Sequence, residues 1–562
     1  MSETVFGSKV LKTYFGDDRF PVEWANEDEK KFHWFYDDLH CPNPVSPMFE
    51  TLTPWWGETC EYMYRRFWAP FGKEWLGKVT NRYIYTAIKP REPEELPATG
   101  QYYGRIMPVY ARNFLKWWND RLLPEIKKNY EYMDNFDYAN ATFEELMILL
   151  EDYIDIYIRH FKLHWILNLA QFQSTIEFRV AYHQAFGQID EEEIGRILVS
   201  VDDKNWDSIR GITDLRDYVK GSPQVSRIFE EEEEVVYIYE RLKKSAEAAE
   251  FMQKLDEYVK EFGYKTIYPH EYLFETWLEN PIPVIELIKT YLETEYDVEK
   301  EVQKTKKGME DSIKAMFDRL QDDEKKKALQ QALDLAMPMQ PLTPNHHFWI
   351  DQGCHARGRI LLMKIGELLV KMGLLDRPDD IIYLQYNELR TLFASPDLLD
   401  AKQTVARRRK ENEDADKISP PDWIGTVTQW SNYEEPYKGL WGFPEKAERD
   451  QFKLEQKEFR GIPGSPGSVE GTAVLVKSPN EFDKIKPGDI LVCRMTSPAW
   501  ITVFPKIRGL VTDAGGMLSH PAIVSREFGI PAVIGTGIST QVIKNGQHIR
   551  VNGSKGIVEI LD

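Results

Sequence analysis

The sequence predicts a multidomain protein: a large, mostly α-helical body followed by a small β/α domain. Three observations predict it. At 562 residues the chain is too long for one hydrophobic core. Before residue 404, apolar residues recur at three- and four-residue intervals over long stretches. After Gly461 that pattern gives way to short β-type runs broken by glycines, and residues 461–562 hold 14 of the 34 glycines but one tryptophan, Trp500, of 16. The same tail carries 10 Lys/Arg against 8 Asp/Glu, so of the net charge of −20 the residues before it carry −22. The expected boundaries are a helical body at 1–403, a linker at 404–460 and the β/α domain at 461–562.

Composition narrows the classes. The chain is 42% hydrophobic and 13% aromatic, which is the make-up of a packed globular protein. Its acidity argues against general binding to nucleic acid or anionic membranes. No run approaches 18 apolar residues, so no transmembrane helix is expected. The segment MSETVFGSKVLKTYFGDDRF lacks an apolar signal core. Cys41, Cys60, Cys354 and Cys493 are scattered and form no CxxC. Both features lead to the expectation of a reducing, cytoplasmic setting.

Taken in order, residues 1–130 begin dense in aromatics and prolines. HWFYDDLHCPNPVSPMFETLTPWW, with His33 and His40, reads as an irregular segment packed on the body. Its aromatic residues read as core filler or, with a few polar groups, as pocket lining. Tyr102 to Lys128 has helical spacing. Thr142 and Glu145 form a capping box at the head of a long helix, or two, over 142–186. On it His160 and His164 lie one turn apart; with no third ligand at suitable spacing they read as buried, hydrogen-bonded helix histidines, and His183 is read with the same caution. The charge run Glu230 to Glu234 reads as a solvated helix face, and 280–336 is again helical.

Residues 341–393 carry more chemistry. His346, His347, Asp351, His355, Arg357 and Arg359 crowd together ahead of an amphipathic helix, Ile360 to Met372, that Gly373 terminates. His347, Asp351 and His355 have i, i+4, i+8 spacing, one polar face if helical. A metal site is one reading of that face, weakened by Gly353, and none is expected. A general base with basic phosphate clamps is the preferred functional reading, set against a plain polar helix entry. The charged ARRRKENEDADK and the Trp/Tyr/Pro/Gly-rich segment after it read as a long connector.

The densest motif is Leu510 to Gly537, LVTDAGGMLSHPAIVSREFGIPAVIGTG. It reads as strand, glycine turn at Gly515 and Gly516, helix, strand, with Ser519 or His520 capping the helix and Pro521 at its first turn. A helix mouth presents unpaired N–H groups and partial positive charge, which suits an anion. An imidazole there is a nucleophile beside a phosphate cradle, and the Arg526 fork is within reach of a phosphoryl group. Taken alone, the same letters also describe an ordinary βα turn with an incidental histidine.

The pieces GSPGSVEGTAVLV, KPGDILVCRMTSPAW, the segment through His520 and VNGSKGIVEI together resemble the swivelling phosphohistidine domain of the phosphoenolpyruvate-utilising enzymes, over essentially all of 461–562. That family includes phosphoenolpyruvate synthase, pyruvate phosphate dikinase, rifampicin phosphotransferase and the split aryl phosphotransferases such as phenylphosphate synthase and hydroxyphenylethanone kinase. The resemblance implies that His520 is the phosphorylated histidine; Pro521 and Ser525 stand where relatives more often have alanine. The body, through His346, Asp351, Arg359 and RPDDIIYLQYNEL, is similar to the acceptor domain of rifampicin phosphotransferase.

The resemblance further implies a dikinase cycle, in which ATP leaves its β-phosphate on the histidine with release of AMP and phosphate, and the histidine domain then swings to an acceptor. No P-loop and no ATP-grasp-sized glycine-rich module is read in the chain, so ATP and magnesium are expected on a separate ATP-grasp subunit. No alternation of strand and helix at barrel length is present, which argues against a pyruvate-type acceptor domain. The aromatic body leads to the expectation of a phenolic acceptor and an aryl phosphate product. In that scheme His346 or His347, oriented by Asp351, is the base, and Arg357 or Arg359 offsets phosphoryl charge. The competing expectation is a phosphocarrier that passes phosphate to another protein or a non-aromatic small molecule.

Overall fold

The computed structural model describes residues 4–5, 8–52, 57–294, 297–418, 420–428, 456–477, 479–496, 500, 503–516 and 519–562. They divide into two compact units. The first comprises Met1–Ile176, His270–Leu273 and Trp349–Phe452, and the second Glu177–Pro269, Phe274–Phe348 and Lys453–Asp562. Among the described residues no helix is long and apolar enough to cross a membrane.

The first unit is not wholly helical. It contains an antiparallel sheet of β1 (Thr4–Val5), β2 (Ser8–Tyr14), β3 (His33–Tyr36), β4 (Glu74–Thr80), β5 (Tyr83–Lys89) and β6 (Trp423–Thr428), in the order β1-β2-β6-β3-β5-β4. Aromatic and β-branched residues in YIYTAIK and WIGTVT fit a pleated surface and are buried there. Phe20, Trp34, Tyr36, Tyr83, Tyr85 and Ile424 form a core on this sheet. The segment from His33 expected to be irregular therefore opens with a strand, β3, and β1, β2, β4 and β5 lie on either side of it in the chain. The expected connector at 404–460 is corrected in the same way. Its start belongs to the helix Ala401–Ala415, rich in strong helix formers and capped by Asp400, which accepts from the Gln403 amide at 3.0 Å. Its WIGTVT segment is β6, between β2 and β3. Residues 429–455 lie outside the described residues.

The helices of this unit follow the expected spacing. Leu96–Trp117 runs through a π turn, Trp118–Leu122, into Leu123–Asp134. Phe143–Phe186 is one helix, and its capping box forms: the Thr142 amide donates to Glu145 at 2.8 Å and the Glu145 amide to the Thr142 hydroxyl at 3.3 Å. Gly353–Lys371 ends at Gly373, whose φ of +77° suits glycine. Cys41, Cys60 and Cys354 are buried free thiols, as is Cys493 in the second unit.

The second unit joins helices, among them Lys204–Gly221, Ala249–Phe262, Val298–Asp318 and Asp323–Ala336, to an eight-stranded sheet. The strands are β7 (Glu458–Arg460), β8 (Ile462–Ser465), β9 (Ser468–Leu475), β10 (Ile490–Cys493), β11 (Gly509–Thr512), β12 (Ala532–Ile534), β13 (His548–Asn552) and β14 (Ile557–Ile560), in the order β7-β14-β13-β9-β10-β11-β12-β8. The run β9 to β12 is parallel, and its core is Ile490, Val492, Val511, Val533, Ile549 and Val551. The helix His520–Glu527 is the crossover from β11 to β12. Its N-terminus thus lies beyond the carboxyl ends of parallel strands, where α/β sheets bind ligands.

Candidate active site

The turn before His520 is held from two sides. Gly515 adopts a φ of +111°, and a Cβ there would sit 2.7 Å from the Ser519 hydroxyl oxygen, so the turn requires glycine. Asp513, just after β11, pins the turn to the short helix Ser539–Val542 that follows β12. Its Oδ1 accepts from the Ser539 hydroxyl at 2.5 Å and the Thr540 amide at 3.1 Å, and the Thr540 hydroxyl donates to its Oδ2. Ser519 occupies the cap position, yet its hydroxyl donates to the Gly516 carbonyl at 2.7 Å and makes no side-chain cap. The amides of the first helical turn are left to another acceptor. Pro521 stands at the first turn, as expected.

His520 itself is partly buried. Thr496 Oγ1 is 3.0 Å from its Nδ1, and its Nε2 is shielded from solvent with no hydrogen-bond partner among the described residues. Burial first, then the nearby His347 and Lys265, hold its pKa well below the ordinary value of 6.5. The ring is therefore neutral near pH 7. With its proton on Nδ1, donated to Thr496, the ring leaves its Nε2 lone pair unshared.

The face of the helical part that meets this ring belongs to the same unit. Phe528 stacks on Trp206 at 6.2 Å and 16°, and Phe504 lies between Phe528 (5.6 Å) and His520 (6.4 Å). Trp206 begins the helix Lys204–Gly221, capped by Asp203. One turn on, Ser208 Oγ accepts from Lys265 Nζ at 2.6 Å and contacts the Tyr258 hydroxyl at 2.8 Å. Lys265 is 1% exposed, with its ammonium 5.1 Å from the Trp277 ring. Burial lowers its pKa from 10.5 to about 7, although Asp203 pushes the other way.

Of the residues expected at the site, the structure brings His347 into electrostatic reach of His520. The His346 ring lies against His347 at 4.1 Å, buried, with Nδ1 3.0 Å from the Leu342 carbonyl oxygen. Gly515, Gly516 and Ser519 shape the turn. Arg526 is tied within its own domain, its Nε donating to the Gly464 carbonyl at 2.8 Å.

The other expected residues are engaged elsewhere, in the first unit. The backbone widens into a π turn over His347–Gln352, so the spacing of four no longer defines one face. Asp351 Oδ1 lies 3.0 Å from His164 Nδ1, a partner the expectation did not give it. Arg357 makes a two-pronged pair with Asp134 (2.7 and 2.5 Å), donates to the Gly353 carbonyl, and stacks 3.8 Å over Tyr130. Arg359 is buried and donates to the Tyr272 carbonyl. In these contacts both arginines hold buried backbone. Within the same unit His40, His164, His270 and His355 gather around Asp351 and Asp37. The ring contacts are 5.1 Å for His40–His270, 5.0 Å for His270–His355 and 5.6 Å for Phe161–His164, and Asp37 is 2.9 Å from His40. Tyr157 and Phe161 edge His355, each at 5.3 Å. His160 is the buried helix histidine expected, held by Asn129 at 3.1 Å; His183 is exposed.

Comparison with known proteins fits this geometry. Residues 485–556 match the mobile domain of the PEP-utilising enzymes, and residues 183–340 match the fourth domain of rifampicin phosphotransferase. Over 94% of its length the chain is 25% identical to an uncharacterised phosphotransferase, YvkC, of Bacillus subtilis. It is 26% identical to the rifampicin phosphotransferase of the same organism over 62% of its length. It is 44% identical to a probable phosphoenolpyruvate synthase of Staphylothermus marinus over 23%. The chain spans 62% of the first of these proteins, 39% of the second and 16% of the third. The chain is accordingly a PEP-utilising family member that resembles rifampicin phosphotransferase.

Proposed function

We propose that the chain is the phosphoryl-carrying and acceptor-binding subunit of a dikinase-type phosphotransferase. In this reading it takes phosphate onto His520 from a separate ATP-grasp subunit that holds ATP and magnesium, and delivers it to the hydroxyl of a phenolic acceptor. The observation that carries the reading is His520 Nε2: buried, unpartnered among the described residues, on a neutral ring held through Nδ1, at the mouth of a helix whose cap hydroxyl is turned away.

The chemistry follows from the groups present. The Nε2 lone pair attacks phosphorus and forms the N–P bond as the P–O bond to the donor breaks. The acceptor oxygen later attacks phosphorus, and the bonding pair returns to Nε2. A phenol must give up its proton as it attacks, and His347, within electrostatic reach of His520, is the base in this scheme. An aromatic acceptor is in keeping with the rings on the face that meets His520 within its own unit, Phe504, Phe528 and Trp206.

The test combines the purified chain, a candidate ATP-grasp subunit, ATP, magnesium and a panel of phenols, with AMP and aryl phosphate as readouts. The expected result is one AMP per aryl phosphate and loss of both in His520→Ala. AMP formation that continues in His520→Ala overturns the mechanism. Phosphohistidine formed without turnover on any phenol overturns the acceptor assignment and favours a phosphocarrier.

A further inference from the structure

A lysine buried to 1% needs a reason, because an ammonium out of water is costly unless a charge or several acceptors meet it. Among the described residues Lys265 Nζ has a neutral hydroxyl, Ser208 Oγ at 2.6 Å, and no carboxylate within ion-pair distance. Asp203, the nearest acid to act on it, is occupied as the cap of Lys204–Gly221. It accepts from the Ser200 hydroxyl at 2.5 Å and the Asn205 amide at 2.8 Å. The other groups facing Lys265 are Tyr258, through Ser208, the Trp277 ring, and the imidazole of His520. The packing that brings His520 here is aromatic: Trp206, two residues before Ser208, stacks on Phe528, and Phe528 meets Phe504 at the edge of the His520 ring. A buried acceptor nitrogen and a buried lysine without a carboxylate partner among the described residues thus lie in the same unit, within electrostatic reach of each other.

We propose that Lys265 is the counter-cation of the phosphoryl group carried on His520, its ammonium pairing with the phosphoryl oxygens in the arrangement seen here. This rests on His520 being the phosphorylated residue. No bond to Lys265 forms or breaks. The N–P bond forms at Nε2, the donor leaves with the bonding electron pair, the ring keeps its Nδ1 proton on Thr496, and the amine takes up one proton from solvent. With a pKa of about 7 before the phosphoryl group arrives, the amine is poised to make that change. Lys265 is a phosphoryl-binding residue, distinct from the arginines after Asp351.

The test uses the full chain and phosphoramidate, a small donor whose P–N bond breaks to release ammonia as the imidazole is phosphorylated. Phosphorus NMR follows the phosphohistidine resonance against pH. In the wild-type chain the phosphoryl group is expected to titrate about one pH unit or more below its value in the same phosphorylated chain unfolded in urea, as for an acid beside a cation. Lys265→Met removes most of that displacement, and Lys265→Arg keeps it. A wild-type resonance that titrates as in the unfolded chain overturns the proposal, whether or not Lys265→Met folds. So does a Lys265→Met resonance that titrates like wild type. Equal labelling of His520→Gln and wild type overturns the phosphohistidine reading instead, which separates the two failures.

Discussion

Thr496 Oγ1 stands 3.0 Å from Nδ1 of His520, and in the proposed reaction that contact leaves Nε2 as the attacking nitrogen. Thr496→Val keeps the shape and removes the hydroxyl. His520 phosphorylation by phosphoramidate is expected to slow about tenfold, the value of one hydrogen bond of about 1.4 kcal/mol. Thr496→Ser is expected to stay within about twofold of wild type on the same scale. A Val variant as fast as wild type shows that the threonine does not orient the ring.

Gly515 has its left-handed backbone imposed by the turn, and a methyl group there meets the Ser519 hydroxyl. Gly515→Ala should cost about 1–3 kcal/mol of stability and displace His520. Loss of both melting temperature and phosphohistidine yield is the expected pair of results. A variant that melts lower yet labels fully separates the turn from the chemistry.

Arg357 is assigned to holding structure. Its pair with Asp134, which is partly exposed, and its stacking on Tyr130 predict that Arg357→Ala loses about 1–3 kcal/mol in urea unfolding. Phosphorylation of His520 in the folded fraction is expected to be unchanged. A stable Arg357→Ala that fails to label His520 would return the arginine to the phosphate site.

Three buried histidines predict an acid limit. Burial holds His33 and His160 down at about 3 and His355 at about 4, against 6.5 ordinarily. Each is neutral when folded and protonates in the unfolded chain below about pH 6.5. Their contribution is complete above that pH and is lost as pH falls toward the folded values, at about 1.4 kcal/mol per group per pH unit. His40 runs the other way: despite its burial, Asp37 raises its pKa, so its contribution is present in acid and fades as pH rises through the folded value. Urea midpoints should fall from pH 7 to pH 5, and His160→Gln should flatten that fall. Identical midpoints at the two pH values contradict the assignment.

Local chemistry was legible in the sequence and long-range pairing was not. The Gly-Gly turn, Pro521 and His520 lie within seven residues, and each dictates its own backbone. Thr142 with Glu145, and Gly373, are legible for the same reason. The partners of Asp351 and Arg357 are not: Asp134 is 223 residues from Arg357, and no spacing rule reaches so far. The π turn after His346 shifts a face that a spacing of four assumes is regular. β6 sat in polar surroundings and reads as strand only once β2 and β3, from the other end of the chain, flank it. Lys265 matches no spacing motif. The signal was its setting in FGYKTIYPH, a lone charge among aromatic residues after Gly263.

The four native thiols are all buried and unpaired, and burial pushes their pKa values up. Thiolates are the reactive form, so none of the four is a ready target for alkylating dyes. A cysteine added at an exposed position, such as Ser554 in the turn before β14, becomes the single fast-labelling site without prior removal of the others. Spectroscopic distance measurements on the histidine domain can therefore begin from the unaltered protein.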